Sequence, residues 1–99
     1  MKARLLLKER IVLRDTAFAE IVVWQVPKPV RGSGHAYKYR MALVVDEVCV
    51  MRYDNEAGKG DHRHLGDVET RMVFNDLNEL YASFRTDADN WLDVNRSSS

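Results

Sequence analysis

The residues best suited to chemistry lie together between positions 52 and 64, Arg-Tyr-Asp-Asn-Glu-Ala-Gly-Lys-Gly-Asp-His-Arg-His. His62 and His64, two of the three histidines in the chain, are two positions apart. On an extended segment both imidazoles therefore face the same side. Gly58 and Gly60, just ahead of them, open backbone conformations that other residues avoid, which gives the pair a bendable lead-in. Imidazoles as a class titrate near neutral pH, so a pair of them can divide the work of an acid and a base. Cleaving RNA through its own 2′-hydroxyl needs a base, an acid for the leaving 5′-oxygen and cations for the charged phosphorane. His62 and His64 are the candidate catalytic pair. Arg40, Arg52, Lys59 and Arg63 are candidates for holding the phosphate, the arginines by bidentate hydrogen bonds. Tyr53, with Tyr37 and Tyr39, offers ring faces on which unpaired bases stack. This route calls for no cofactor and no metal.

The same residues support two other readings. His-x-His on an extended segment can present both imidazoles to one ion, with Asp54, Asp61 or Glu69 adding oxygen ligands. His62-Arg63-His64 followed by Glu69 echoes half of a cupin metal motif, but Glu56 stands where the leading glycine belongs and no second half follows. Alternatively the segment is a charge-satisfied polar turn in a non-catalytic module that binds nucleic acid or protein. Polyanion binding through several Lys/Arg contacts weakens steeply as salt rises, which separates it from a protein interface. Gly58-Lys59-Gly60 is no P-loop, because the first glycine of that spacing is missing and no Ser/Thr follows the lysine. His35 sits in a glycine loop and reads as solvated. Cys49 lies in an apolar run and reads as a small buried hydrophobe.

These residues need elements to position them. Residues 3–13 alternate imperfectly around Lys8-Glu9-Arg10, which suggests a strand with a bulge or bend. Arg14-Asp15-Thr16 is a hairpin connection, and residues 17–26 form a strong second strand ended by Pro27 and Pro29. The glycine-rich stretch 30–35 reads as a mobile loop. Residues 37–45 and 48–53 are strands joined at Asp46-Glu47. A further strand spans residues 68–74, and His62–His64 begins one or precedes one. One helix is clear. Asp76 caps it with Glu79 three residues on. Leu77, Leu80, Tyr81, Phe84, Ala88 and Trp91 then form one apolar stripe. Trp24 and Trp91 are expected to anchor the sheet to this helix. The expected fold is α+β: an antiparallel meander of four to five strands with one C-terminal amphipathic helix packed on one face. Residues 1–92 form the single domain and 93–99 a flexible tail.

With 99 residues, 45% of them apolar and 30% charged, the chain is one globular domain rather than a disordered segment. No apolar run approaches the roughly 18 residues that span a bilayer. The three leucines after Arg4 are too few for a signal sequence. A single cysteine forms no internal disulfide and suits a reducing compartment. The zero net charge hides an asymmetry: residues 1–40 carry nine Lys/Arg against three Asp/Glu, and residues 41–99 carry six against twelve. That split suggests a basic face for a polyanion and an acidic face for a basic partner.

Leu5-Leu6-Leu7-Lys8-Glu9, Val23-Trp24-Gln25-Val26-Pro27, Tyr37-Lys38-Tyr39-Arg40 and the block from Arg52-Tyr53-Asp54-Asn55 to His62-Arg63-His64 occur in that order. Over residues 1–92 this pattern resembles the TumE family of small prokaryotic proteins. The resemblance implies a cytoplasmic toxin from a type II toxin–antitoxin module, partnered by a helix-turn-helix antitoxin, with RNA cleavage as the activity it brings forward. It carries over no assigned catalytic residues, so the site rests on the chemistry above. Exposed edge strands add the expectation of a homodimer.

Overall fold

The computed structural model describes residues 2–95. Its strands are β1 (Arg4–Arg14), β2 (Ala17–Gln25), β3 (Tyr37–Val45), β4 (Val48–Asp54), β5 (His62–Leu65) and β6 (Val68–Arg71), followed by helix α1 (Leu77–Asn95). They form one six-stranded sheet in sequence order, and every neighbouring pair is antiparallel. The α+β meander with one helix matches the sequence reading, but the strand count is six rather than four to five. The extra strand arises because His62–Leu65 and Val68–Arg71 pair as a separate hairpin.

Tight connections make this order the natural one. Asp46 and Glu47 both adopt positive φ (51° and 69°), so β3 and β4 are joined by a two-residue turn whose twist matches that of the strands. The Asp46 N–H donates to the Thr16 carbonyl at 2.9 Å, tying this turn to the one between β1 and β2. The bulge or bend expected around Lys8-Glu9-Arg10 is not there: those residues pair regularly with Val22, Ile21 and Glu20, and the register slips fall at Leu5/Leu7 and Val12/Arg14, near the two ends of β1.

One face of the sheet is apolar and covered. Ala19, Ile21 and Val23 of β2, Tyr39, Met41 and Leu43 of β3, and Met51 and Tyr53 of β4 are all buried there. Leu80, Phe84 and Ala88 of α1 pack onto them. The Asp76 carboxylate accepts from the Glu79 N–H at 2.8 Å, which caps the helix. The Glu79 side chain accepts from Asn75 rather than reaching back to the cap. Leu92 is buried and the helix continues to Asn95, so the first residues of the expected tail are helical. Residues 96–99 of that tail lie outside the described residues.

The opposite face is left open, and two expectations change with it. Trp24 is 37% exposed instead of anchoring the helix, and Cys49 is exposed instead of buried. For Trp24 this follows from even–odd alternation beside the covered Val23. Cys49 shares the parity of Met51 and Tyr53 and reaches the open face because the register slips between Leu43↔Met51 and Val44↔Cys49. Trp91 does pack against the core.

Phe84 is fully buried and meets the Tyr53 ring edge-on at 5.4 Å between centroids. Phe84→Ala is expected to cost about 3–5 kcal/mol in urea unfolding, whereas Val73→Ala, at a position 84% exposed, should stay within about 0.5 kcal/mol.

Candidate functional site

The candidate site forms where β4, β5 and β6 lie side by side on the open face. Asp54 pairs with His62 and Arg52 with His64, while His62 and His64 pair in turn with Arg71 and Glu69. Directly opposed residues point to the same side, so this register brings a carboxylate from β4 against the histidine pair of β5. The two imidazole rings stand 4.6 Å apart at 70°. The side chain of His62 is only 2% exposed, that of Asp54 16%, and that of His64 24%. His64 is the ring that meets solvent.

Asp54 is divided between two neighbours. Its Oδ2 accepts from Arg52 Nε at 2.7 Å, which turns Oδ1 toward the imidazoles. Oδ1 lies 3.0 Å from His62 Nε2 and 3.9 Å from His64 Nε2. Glu69 stands on the far side, 3.5 Å from His62 Nε2 and 3.9 Å from His64 Nδ1. Arg40 pairs with Asp54 from β3 and continues the same row.

Of the residues expected at the site, the register therefore unites His62, His64, Arg52 and Arg40. It adds Asp54 at the centre, a residue the sequence offered only as one of several metal ligands. Arg63 and Tyr53 fall on the other face. The Tyr53 hydroxyl and Arg63 Nη1 both bond to Asp87 of α1, the arginine at 2.9 Å. They line a cleft of about 380 Å³ with Leu80 and Ser83 on the helix side of the sheet. Burial first, then the Asp87 carboxylate, pushes the Tyr53 phenol well above the ordinary tyrosine range. Lys59 sits in the loop before β5 and pairs with Glu56 at 3.6 Å.

The lead-in to the histidines is held in place rather than free. The Gly58 N–H donates to the Arg31 carbonyl at 2.6 Å, which joins the loop before β5 to the one before β3. Asp61 accepts from His35 Nε2 at 2.9 Å, from the Tyr39 hydroxyl at 3.1 Å and from Ser33 at 3.3 Å. His35 Nδ1 accepts the Tyr37 N–H, and its ring stacks on Phe74 at 3.7 Å. His35 and Ser33 thus clasp the loops together, and the expected solvated, mobile loop is a fixed one. Burial, reinforced by Asp61, also raises the Tyr39 phenol well above its usual range. Gly60 then turns at φ +75°, and its carbonyl accepts from His62 Nδ1 at 2.9 Å.

The structure thus defines a class: a small α+β protein with a carboxylate–imidazole centre on the bare, charged face of its sheet. A family model described as Toxin TumE matches residues 2–92. The chain belongs to that toxin family. No curated protein and no solved structure matches it.

Two measurements test this geometry. A Cβ on Gly60 would meet the Gly32 carbonyl oxygen at 2.8 Å, whereas one on Gly66, also at positive φ, would meet open space. Gly60→Ala should therefore lower the unfolding midpoint clearly more than Gly66→Ala, whose cost is limited to about 1–2 kcal/mol of backbone strain. Tyr39 and Tyr53 hold their protons more tightly folded than unfolded, so above about pH 10 the unfolded state binds fewer protons. Stability is expected to fall as pH rises past that point, and the slope should lessen in Tyr53→Phe.

Proposed function

We propose that this toxin acts by cleaving RNA laid across the open face of its sheet. The observation that carries the reading is the placement of the Asp54–His62–His64 centre. It lies on the face that the helix leaves bare, in rows flanked by Arg40 and Arg71. Lys8, Arg10, Lys38, Arg40, Arg52 and Arg71 fall on that face by strand alternation, against Glu20, Asp54 and Glu69. A phosphodiester chain is drawn to such a surface, and guanidinium groups hold it in a fixed orientation. Trp24 and Phe18, half-exposed on the same side, add stacking surfaces in place of the buried Tyr39 and Tyr53.

Exposure decides which ring meets the strand. His64 reaches solvent, while both nitrogens of His62 face groups of the protein. His64 therefore contacts the scissile phosphate, with Arg40 and Arg71 as its cationic partners. Arg52 is a positioning residue that acts through Asp54. The module is type II, with a helix-turn-helix antitoxin as the partner that silences the toxin in the cytoplasm. Among the described residues, no helix is long and apolar enough to cross a membrane. The exposed Leu5, Leu6 and Leu7 on the edge strand β1 support a homodimer through that edge.

Induced in cells, the wild-type chain is expected to arrest growth and fragment RNA. With purified protein, His64→Ala should lower the cleavage rate by at least about 10²-fold. Tyr53→Phe, altered on the far face, should retain it. RNA that binds with a steep salt dependence but stays intact would leave a non-catalytic RNA-binding toxin instead. Full cleavage by His64→Ala would remove this centre from the reaction.

A further inference from the structure

We propose that Asp54, His62 and His64 hold a divalent transition-metal ion, with zinc as the best match. Each of the three residues offers one ligand atom, and these atoms lie within 4.8 Å of one another; Asp54 Oδ1 is 3.0 Å from His62 Nε2 and 3.9 Å from His64 Nε2. Asp54 Oδ1, His62 Nε2 and His64 Nε2 are buried and make no hydrogen bond. Buried polar atoms normally have partners, and three orphans converging on one point are the signature of a missing shared partner.

The tautomers sharpen the point. His62 Nδ1 faces the Gly60 carbonyl at 2.9 Å and must donate to it, so the proton of the neutral ring is on Nδ1. Nε2 is then a lone pair, and it faces a carboxylate oxygen at 3.0 Å. Two acceptors at that distance repel unless a cation lies between them. An extra proton on Nε2 would serve if it pointed at Oδ1, but the two atoms are not aligned for a hydrogen bond.

The distances suit an ion. Ligands about 2.0–2.2 Å from tetrahedral zinc stand roughly 3.3–3.6 Å from each other. Here the Nε2–Oδ1 separations are 3.0 and 3.9 Å. The surroundings also follow the pattern of metal-bound histidine, whose second ring nitrogen is held by a carbonyl or carboxylate. The Gly60 carbonyl takes that place for His62, and Glu69 lies 3.9 Å from His64 Nδ1. Arg52 fixes the free oxygen of Asp54. Two imidazoles and one carboxylate leave a coordination position open, as at catalytic rather than structural sites. The binding is independent of the RNA reading; its consequence for cleavage rests on that reading, the histidines then acting on the phosphate through the ion.

The test uses the full chain with any affinity tag removed, stripped with chelator and dialysed. Calorimetric titration with Zn²⁺ should saturate at one ion per chain. Titration with Co²⁺ should give the visible absorption of a low-coordinate nitrogen–oxygen site. Asp54→Asn and His64→Gln, which preserve side-chain shape or polarity, should each weaken binding at least tenfold and abolish the zinc-dependent rise in Tm. Tyr53→Phe should bind as wild type, and circular dichroism confirms that each variant is folded. No saturable binding near one equivalent by wild type, or undiminished binding by both folded variants, overturns the inference. One ion bound without RNA cleavage keeps this site and removes the RNA reading. Full cleavage with no ion bound does the reverse.

Discussion

A β-strand sends successive side chains to opposite sides, and a single helix covers one of those sides. That pair of constraints organises this molecule. In β4, Met51 and Tyr53 go under the helix, while Arg52 and Asp54 go to the open face. In β5, Arg63 goes toward Asp87 of the helix, and His62 and His64 join Asp54. The apolar half supplies the burial that holds the sheet flat against α1. The other half, relieved of any packing duty, can collect charges that a core would not tolerate.

The open face nevertheless contains buried polar groups, and their position depends on two clasped loops. Asp61 gathers His35, Tyr39 and Ser33, and Asn55 bonds both Ser33 and the Tyr37 carbonyl. These bonds fix the chain just before β5. Gly32 and Gly60 approach so closely that neither has room for a side chain. The Gly60 carbonyl can then hold the His62 ring from behind. Loop geometry is in this way converted into the direction of one imidazole nitrogen, the quantity on which any chemistry at the centre depends.

Charge follows the same division. The helix carries Glu79, Asp87, Asp89 and Asp93 against Arg85, while most of the lysines and arginines of β1, β3 and β4 fall on the opposite side. The zero net charge is thus a cancellation between two surfaces, and each surface can address a partner of its own sign preference. For a toxin, an acidic helix and a basic sheet allow the target and a neutralising protein to approach from different sides.

Much of this was legible in the residues. Alternation in residues 17–26 and 37–53 and the stripe from Leu77 to Trp91 gave the meander and the helix, since local periodicity reports directly on burial. The shared direction of His62 and His64 also follows from spacing alone, and the same spacing turns Arg63 away from them. The short hairpin of β5 and β6 was harder to see, because four-residue strands with mostly exposed side chains carry little apolar signal. What the sequence determined by itself was the elements, the histidine pair and the toxin family that its block of residues resembles. Only the tertiary structure chose Asp54 as the partner of that pair, set Tyr53 and Arg63 on the far side, and left Trp24 and Cys49 in the open. Those outcomes depend on strand register and on which face the helix covers. Both are decided by contacts between residues far apart in the chain, which no local pattern encodes.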